Sequence, residues 1–342
     1  MTFPFSFKAL AIEQPGSPVS PITRTVASLN VDEVLVRVDY ASINKMDPMM
    51  AHRNAFQLPA PYVLGFDFSG EVVELGSEGG FTVGDQVFGN TGTGGCFAEY
   101  LVTKRERVLP RGGVAAQEAS TFGVAFLTAY ESLVVTGDIR RHRGKTIYIA
   151  GAAGGVGHFA VQIAKLYGLK VIGSAGKAAS LDLLDRLHVD HIIDYSRQDV
   201  VREIMNLTGG RGADLVYDST YSKPSYDVSA AVVASGGEYI RLGTPMQLTA
   251  FGIEDMTSVV ERRVATMVIT DCGRYSTDPV YIAQADKLAA GMKQAVVWHE
   301  EGKLKPAVTQ IVPFAPQSLQ KAFEAFLEGT NNVGKIVVRC GE

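Results

Sequence analysis

The sequence predicts an α/β protein in which a doubly wound parallel sheet accompanies a smaller β-barrel. In about the first 125 residues, short strand patterns alternate with turns rich in glycine and proline, which is typical of a small, irregular barrel. From residue 145 onward, strand patterns alternate with helical ones. That alternation predicts a parallel sheet covered by helices on both faces.

The barrel strands are predicted at residues 7–12, 33–40, 70–75 and 84–89, and a helix follows at 117–134. The sheet strands are predicted at 146–150, 170–173, 191–194, 215–218, 237–242 and 264–270. The helices between and after them are predicted at 156–167, 180–187, 200–208, 226–234, 286–302 and 319–328, and a last strand at 335–339.

Composition narrows the class of protein. A chain of 342 residues is long enough for two domains of about 150 residues each. Hydrophobic residues make up 46% and charged residues 20%, which is an ordinary globular balance. The net charge of -4 argues against nucleic acid as the main partner, because such partners usually require a basic patch.

The cysteines and the apolar segments of the sequence indicate the cellular compartment in which the protein is expected. The cysteines Cys96, Cys272 and Cys340 form no CxxC pair, so a reducing, cytoplasmic location is expected. The first residues lack a basic segment followed by an apolar stretch, so no secretory signal is expected. The most apolar segment, 113–135, is interrupted by polar side chains, so no membrane span is expected either.

A glycine-rich turn at residues 151–157 is the strongest local signal. It follows an apolar strand, opens a helix and reads Ala152-x-Gly154-x-x-Gly157. Gly154 allows close approach of a pyrophosphate, and Gly157 allows the helix to pack on the strand. The helix N-terminus at Gly155 and Val156 offers N–H groups to an anion. A dinucleotide site is predicted; a turn with a purely structural role is the alternative.

The next strand favours NADPH over NADH. Proteins that bind NAD usually carry Asp or Glu about 20 residues after the turn, where it holds the ribose 2′-hydroxyl. This chain has Ser174, Ala175, Gly176 and Lys177 there. A serine and a lysine would attract a 2′-phosphate that a carboxylate would repel. The alternative is that Lys177 is a solvated surface lysine.

Three segments in order, 63–89, 150–157 and 332–338, resemble the medium-chain dehydrogenase/reductase superfamily. Its alcohol dehydrogenases bind zinc through a Cys three residues before an Asp and a His between Gly and Glu. Here Asn44 and Phe66 stand at those positions, and neither is a zinc ligand. A four-cysteine structural zinc loop is also missing. The chain is therefore similar to the zinc-independent quinone oxidoreductases, zeta-crystallin-like proteins and plant alkenal reductases.

The resemblance implies a fold and an assembly. It implies a GroES-like catalytic barrel domain from residues 1–126 and 301–342, an inserted NADPH-binding Rossmann domain from 127–300, and a cleft between them. A homodimer is also expected, because the apolar strand at 264–270 could pair with its symmetry mate and cover a sheet edge.

The resemblance also implies site residues. Asn44 and Asp47 match an Asn-x-x-Asp motif at the cleft, and Tyr62 precedes the Gly-x-Asp turn. The residues implied to contact the cofactor are Thr128, Gly176, Tyr195, Gly243, Asn332 and Lys335. Two departures matter: Met49 stands where many relatives have tyrosine, and Ser180 where several have a phosphate-binding lysine.

The expected reaction is transfer of a hydride from NADPH to a quinone or an α,β-unsaturated carbonyl compound, both small molecules. Without a metal to polarise a simple ketone, a conjugated acceptor is favoured, because its negative charge spreads to an oxygen that hydrogen bonds can stabilise. Asn44 and Tyr62 are the candidate donors, with a structural amide and a packed barrel tyrosine as the alternatives. Asp47 is expected to be an interdomain anchor rather than a general base.

Three rival functions stay open at this point. The chain could reduce alkenals or enones with little activity on quinones. It could also bind NADPH as a structural or sensor protein with weak turnover, an interpretation that Met49 favours. A zinc alcohol dehydrogenase is the remaining alternative, and none of the six histidines shows ligand spacing in its favour.

Overall fold

The structure is a computed structural model that describes residues 3–54, 56–243, 266–270, 285–329 and 333–341, with only the backbone described at 266–270 and 285–288. By its internal contacts the chain divides into two compact units. Met1–Leu127 together with Gly273–Glu342 form one, here called the barrel unit. Thr128–Cys272 form the other, here called the sheet unit.

The strands and helices are numbered in chain order. The strands are β1 (Phe5–Ile12), β2 (Val19–Val26), β3 (Glu33–Ile43), β4 (Tyr62–Val63), β5 (Asp67–Leu75), β6 (Gln86–Asn90), β7 (Tyr100–Lys104), β8 (Val108–Pro110), β9 (Thr146–Ala150), β10 (Lys170–Ala175), β11 (His191–Asp194), β12 (Ala213–Asp218), β13 (Val233–Leu242), β14 (Thr266–Thr270), β15 (Val308–Pro313) and β16 (Lys335–Arg339). The helices are α1 (Met46–Arg53), α2 (Ala116–Thr136), α3 (Gly157–Leu166), α4 (Ala178–Arg186), α5 (Val200–Leu207), α6 (Lys223–Val232), α7 (Ala285–Glu300) and α8 (Pro316–Leu327).

The barrel unit contains two sheets. One has the strand order β2-β1-β4, and the other β15-β16-β3-β5-β6-β8, with β7 also paired to β3. The C-terminal strand β16 pairs antiparallel with β3, so early and late segments of the chain share one sheet. Buried side chains from both sheets, such as Leu10, Val36 and Phe68, form one apolar core.

The sheet unit confirms the predicted doubly wound fold. Its strands pair in parallel in the order β11-β10-β9-β12-β13-β14. The order runs outward in both directions from β9 and β12, and ligands of such sheets bind beyond the carboxyl ends of the strands at that reversal. The glycine-rich turn follows β9 directly, so the fold places it at the predicted binding edge.

The helix α2 is long and apolar enough to cross a membrane by composition alone, but 72% of its most apolar window is buried inside the protein. Its first turns contact β3 and β5 of the barrel unit, and its last turns contact β13 and β14 of the sheet unit. Two π-helical turns, Phe122–Phe126 and Glu131–Thr136, interrupt it. A helix buried in this way is typical of a protein core.

Helix α7 shows where the division of the chain differs from the predicted one. It contacts β8 and the first π-helical turn of α2, both in the barrel unit. The Trp298 ring meets Phe126 edge-on at 6.1 Å, and His299 pairs with Glu118 at 3.0 Å. These contacts place α7 with the barrel unit, although the predicted boundary at residue 300 placed it with the Rossmann domain. A helical period does not reveal what a helix packs against.

We expect Gly123→Ala to destabilise the protein. A Cβ at residue 123 would lie 2.6 Å from the Gly89 carbonyl oxygen and 2.7 Å from Cβ of Asp67, so α2 would have to move away from β5 and β6. Overpacking of this kind costs about 1–3 kcal/mol. The control is Gly113→Ala, whose Cβ would meet only the Glu300 carboxylate at 3.8 Å. Urea unfolding midpoints test this, and equal midpoints for the two variants would contradict it.

Candidate functional site

The turn after β9 has the geometry of a dinucleotide cradle. Gly151 has φ +71°, which makes the sharp turn. A Cβ at Gly157 would lie 2.0 Å from the Gly151 carbonyl oxygen, so only glycine lets α3 start so close to the strand end. Gly154, Gly155 and Val156 lie half-buried between them. The residues present therefore fit a pyrophosphate at the N-terminus of α3.

The structure explains the alanine in the motif. Ala152 is fully buried, and its Cβ would lie 3.1 Å from a Cβ at Gly173 of the neighbouring strand. The tight turn is made one residue earlier, by Gly151, so Ala152 does not need the freedom of a glycine.

Sequence reasoning missed a second loop at the same edge. Ser219 and Thr220 follow β12, and a Cβ at Gly151 would lie 3.0 Å from the Thr220 methyl and 3.3 Å from the Ser219 hydroxyl. The buried carboxylate of Asp218 fixes this loop by accepting hydrogen bonds from the Thr220 amide and hydroxyl at 2.9 and 2.6 Å. Only the strand order reveals that the loops after β9 and β12 are neighbours.

The predicted 2′-phosphate residues divide into buried and exposed ones. Ser174 is buried, and its hydroxyl pairs with the Tyr148 hydroxyl at 2.9 Å. Tyr195 is 57% exposed and lies against Gly176, where an added Cβ would be 2.2 Å from the ring. Lys177 is exposed at the start of α4.

Three further residues were predicted to contact the cofactor: Thr128, Gly243 and Asn332. Thr128 is half-buried, and its carbonyl oxygen accepts a hydrogen bond from the Ser132 hydroxyl at 2.6 Å. Gly243 follows β13 with φ +84°. Asn332 lies outside the described residues.

The barrel unit holds a buried cluster of charged and polar side chains: Ser42, Asn44, Asp47, Asp67 and Lys335. The Asn44 amide nitrogen donates to Asp67 Oδ1 at 3.0 Å and, more weakly, to the Ser42 carbonyl at 3.4 Å. Asp67 Oδ1 also accepts the Ser42 hydroxyl at 2.8 Å. Asp67 stands beside the missing zinc-ligand position, and sequence reasoning did not assign it a role.

Asp47 anchors the corner between β3 and α1. Its Oδ2 accepts the Asn44 N–H at 2.7 Å and its Oδ1 accepts the Gly65 N–H at 2.9 Å. All of these partners belong to the barrel unit, so Asp47 joins parts of one unit rather than the two domains. Burial raises the pKa of Asp47 to about 7, although the two N–H groups and Lys335 act in the opposite direction.

Lys335 differs from its predicted role at the cofactor. Its ammonium is buried and donates to the Ile43 carbonyl at 3.0 Å and to Asn44 Oδ1 at 2.5 Å. Burial lowers the pKa of Lys335, and the charges of Asp67 and Asp47 oppose that shift. The ammonium is therefore an internal counter-ion, and a cofactor phosphate could not reach it without the loss of these bonds.

Tyr62 is a packed barrel tyrosine rather than a donor in this cluster. It pairs with Ile12 across β1 and β4 and is buried in the core of the barrel unit. Its hydroxyl lies 3.4 Å from the carbonyl oxygens of Met50 and Ala51 in α1. The alternative weighed in the sequence analysis, a structural tyrosine, fits this position.

At the two positions that hold zinc ligands in the alcohol dehydrogenases, this chain has side chains that do not bind zinc. Asn44 is bonded through both ends of its amide, and Phe66 is buried in the apolar core. Within the described ranges, no group of three His, Cys, Asp or Glu side chains could hold a metal ion.

Comparison with known proteins agrees with the division of the chain into a barrel unit and a sheet unit. Residues 30–113 match the family model of the alcohol dehydrogenase GroES-like domain, and residues 155–281 match that of the zinc-binding dehydrogenases. Among solved structures, the CurK enoyl reductase is 26% identical and superposes with a TM-score of 0.82, covering 98% of this chain and 99% of that one.

Curated relatives include both reductases and a much larger synthase. A phenolphthiocerol/phthiocerol polyketide synthase polypeptide of Mycobacterium tuberculosis is 32% identical over 90% of this chain, which spans only 13% of that protein. The trans-enoyl reductase pgmF of Aspergillus terreus is 27% identical, with 94% of this chain and 90% of that protein covered. The human quinone oxidoreductase is 24% identical, with 90% and 88% covered.

The raised pKa of Asp47 predicts a pH dependence of stability. The folded protein binds this proton with a pKa of about 7, above the ordinary 3.8, so this group's contribution to stability falls as the pH rises between those values. The unfolding free energy of the wild type relative to Asp47→Asn should therefore decrease by about 1.4 kcal/mol per pH unit from pH 5 towards 7.

Urea unfolding at pH 5, 6 and 7 measures this difference. Asp85→Asn is the control, since Asp85 also accepts a backbone N–H, from Thr82 at 2.7 Å, but is not fully buried. A difference between wild type and Asp47→Asn that stays constant or grows with pH would contradict the assignment.

Proposed function

Because the chain belongs to the quinone oxidoreductase-like branch of the medium-chain dehydrogenase/reductase superfamily, whose members are nicotinamide-dependent oxidoreductases, we propose that it is an NADPH-dependent, zinc-independent reductase of conjugated carbonyl compounds or quinones. The observation that carries the proposal is the glycine cradle in the sheet unit, present together with a barrel unit whose zinc-ligand positions hold Asn44 and Phe66.

The ends of β10 and β11 support NADPH as the cofactor. The segment after β10 carries Lys177 and no carboxylate. At the end of β11, the Asp194 carboxylate is bonded to the Ser196 hydroxyl at 2.6 Å and faces Arg197 at 3.5 Å, so its charge is compensated. Tyr195, between Asp194 and Ser196, has an exposed ring that lies against Gly176. This surface suits the adenosine 2′-phosphate better than a bare ribose hydroxyl.

The cradle of Gly151, Gly154 and Gly157 would hold the pyrophosphate, and the bound cofactor supplies the hydride. The chain itself must then stabilise the negative charge that develops on the acceptor oxygen. Asn44 is the candidate donor. Its amide nitrogen donates two hydrogen bonds, and the one to the Ser42 carbonyl, at 3.4 Å, is longer and weaker than the one to Asp67, at 3.0 Å. In our proposal that N–H turns to the acceptor oxygen.

Two acceptor classes fit this chemistry, and the relatives include both a quinone oxidoreductase and trans-enoyl reductases. A conjugated carbonyl compound and a quinone each place the new charge on an oxygen, so one donor serves either. The alternative, an NADPH-binding protein of weak turnover, follows from Met49 in the place of a tyrosine. The homodimer through residues 264–270 and the cytoplasmic location also stay predictions.

The first experiment follows the loss of NADPH absorbance with an ortho-quinone, a medium-chain 2-alkenal or no acceptor, in EDTA, with NADH in parallel. We expect acceptor-dependent oxidation of NADPH that EDTA does not slow. Stoichiometric zinc with loss of activity in chelator would favour the alcohol dehydrogenase interpretation. If NADPH binds and no acceptor accelerates its oxidation, the binding-protein interpretation replaces the proposal.

Lys177→Ala should raise the KM for NADPH by about tenfold while the KM for NADH changes little, because the ammonium would act on the 2′-phosphate alone. Lys170→Ala is the matched control, since Lys170 is an exposed lysine at the start of β10, and Lys177 follows the other end of that strand. Steady-state kinetics with both cofactors measure the effect. Equal changes in the KM values for NADPH and NADH would show that Lys177 does not interact with the 2′-phosphate.

A further inference from the structure

The two ends of the Asn44 side chain face groups of opposite charge. The amide oxygen accepts from the Lys335 ammonium at 2.5 Å, and the amide nitrogen donates to the Asp67 carboxylate at 3.0 Å. A carboxamide is nearly symmetrical in shape, so its orientation depends on its partners. An ammonium can only donate and a carboxylate can only accept, so these two partners permit one orientation of the amide.

Asp67 and Lys335 are themselves held in place. Asp67 Oδ2 accepts the Val124 N–H of helix α2 at 3.1 Å, and Oδ1 accepts the Ser42 hydroxyl at 2.8 Å. Lys335 donates its other described hydrogen bond to the Ile43 carbonyl at 3.0 Å. Both side chains are almost completely buried, with 0% and 2% of their surfaces exposed. Charged groups this deep are tolerated because they are hydrogen-bonded and because the charge of each is compensated by the other.

We infer that Asp67 and Lys335 are positioning residues, which fix the Asn44 carboxamide so that the N–H bonded to the Ser42 carbonyl, and not the amide oxygen, can turn to an acceptor. A flipped amide would present a lone pair to a developing oxyanion and repel it. The inference rests on the proposed function for its effect on the reaction. The orientation of the amide itself can be tested without any acceptor.

The structural readout is hydrogen exchange of the Asn44 side chain. The chain has only seven asparagines, so labelling with 15N-asparagine gives a simple side-chain spectrum in which Asn44 is identified by its loss in Asn44→Asp. We expect slow exchange of the Asn44 NH2 protons in the wild type. Asp67→Asn and Lys335→Met, which keep the side-chain size, should each speed the exchange at least about tenfold.

Asp218→Asn is the matched control. Asp218 is equally buried, in the sheet unit, and accepts hydrogen bonds from Thr220, Ser225 and Ser229. Its substitution removes a buried carboxylate without touching Asn44. Unchanged exchange in both cluster variants, or equally fast exchange in the control, would overturn the inference. Where a single variant does not fold, Asp67→Asn combined with Lys335→Met removes opposite charges together and takes its place.

The kinetic readout separates positioning from general damage. We expect kcat of Asp67→Asn and Lys335→Met to fall about 10- to 100-fold, as for a misplaced group, while the dissociation constant for NADPH stays close to the wild-type value. A kcat equal to that of the wild type in both would overturn the positioning role. If the wild type reduces no acceptor, the proposed function fails, and the exchange experiment alone decides whether Asp67 and Lys335 hold the Asn44 amide in place.

Discussion

The charge of one buried ammonium organises the barrel unit. Lys335 enters from the last strand, and its bonds to Asn44 and the Ile43 carbonyl tie that strand to the end of β3. Asp67, the first residue of β5, accepts hydrogen bonds from Asn44 and from the Val124 N–H of helix α2, so β5 and α2 are linked to the same group. Ions removed from water are tolerated only when they are paired and hydrogen-bonded, so these side chains must occupy their positions together.

In the sheet unit, the structure of the candidate site depends on the close approach of two backbone segments. The Gly157 Cα lies so close to the Gly151 carbonyl that no side chain fits between the end of β9 and the start of α3. The reversal of strand order beside β9 brings the loop of Ser219 and Thr220 to the same place. In the proposed reaction, the sheet unit offers backbone N–H groups to an anion, and the barrel unit offers a side-chain N–H to an oxygen. Both depend on packing more than on any single reactive group.

The sequence predicted the sheet unit better than the barrel unit, for physical reasons. Buried parallel strands are continuous apolar runs, so β9 was located to the residue. The edge strand β11, in which only Ile193 is buried, was also located to the residue. The strand β2 contains Pro21 and is largely exposed, and α1 contains Pro48, so neither carried a clear period. Asn44 and Asp47 were found by motif, but their bonds to Lys335 and Gly65 join distant parts of the chain. Lys335 was assigned to the cofactor by the family resemblance, and neither that resemblance nor residue spacing shows that its ammonium is buried against Asn44.

The pairing of β16 with β3 also has a consequence for the order of events during synthesis. The strands β9 to β14 of the sheet unit are contiguous in the chain, so every partner in that sheet is available once Thr270 has been made. The barrel unit has no such independence. Asn44 and Asp67 are made long before their ammonium partner, which follows 291 residues after Asn44. On the ribosome the nascent barrel therefore holds its acidic side chains without their counter-ion until translation has reached β16.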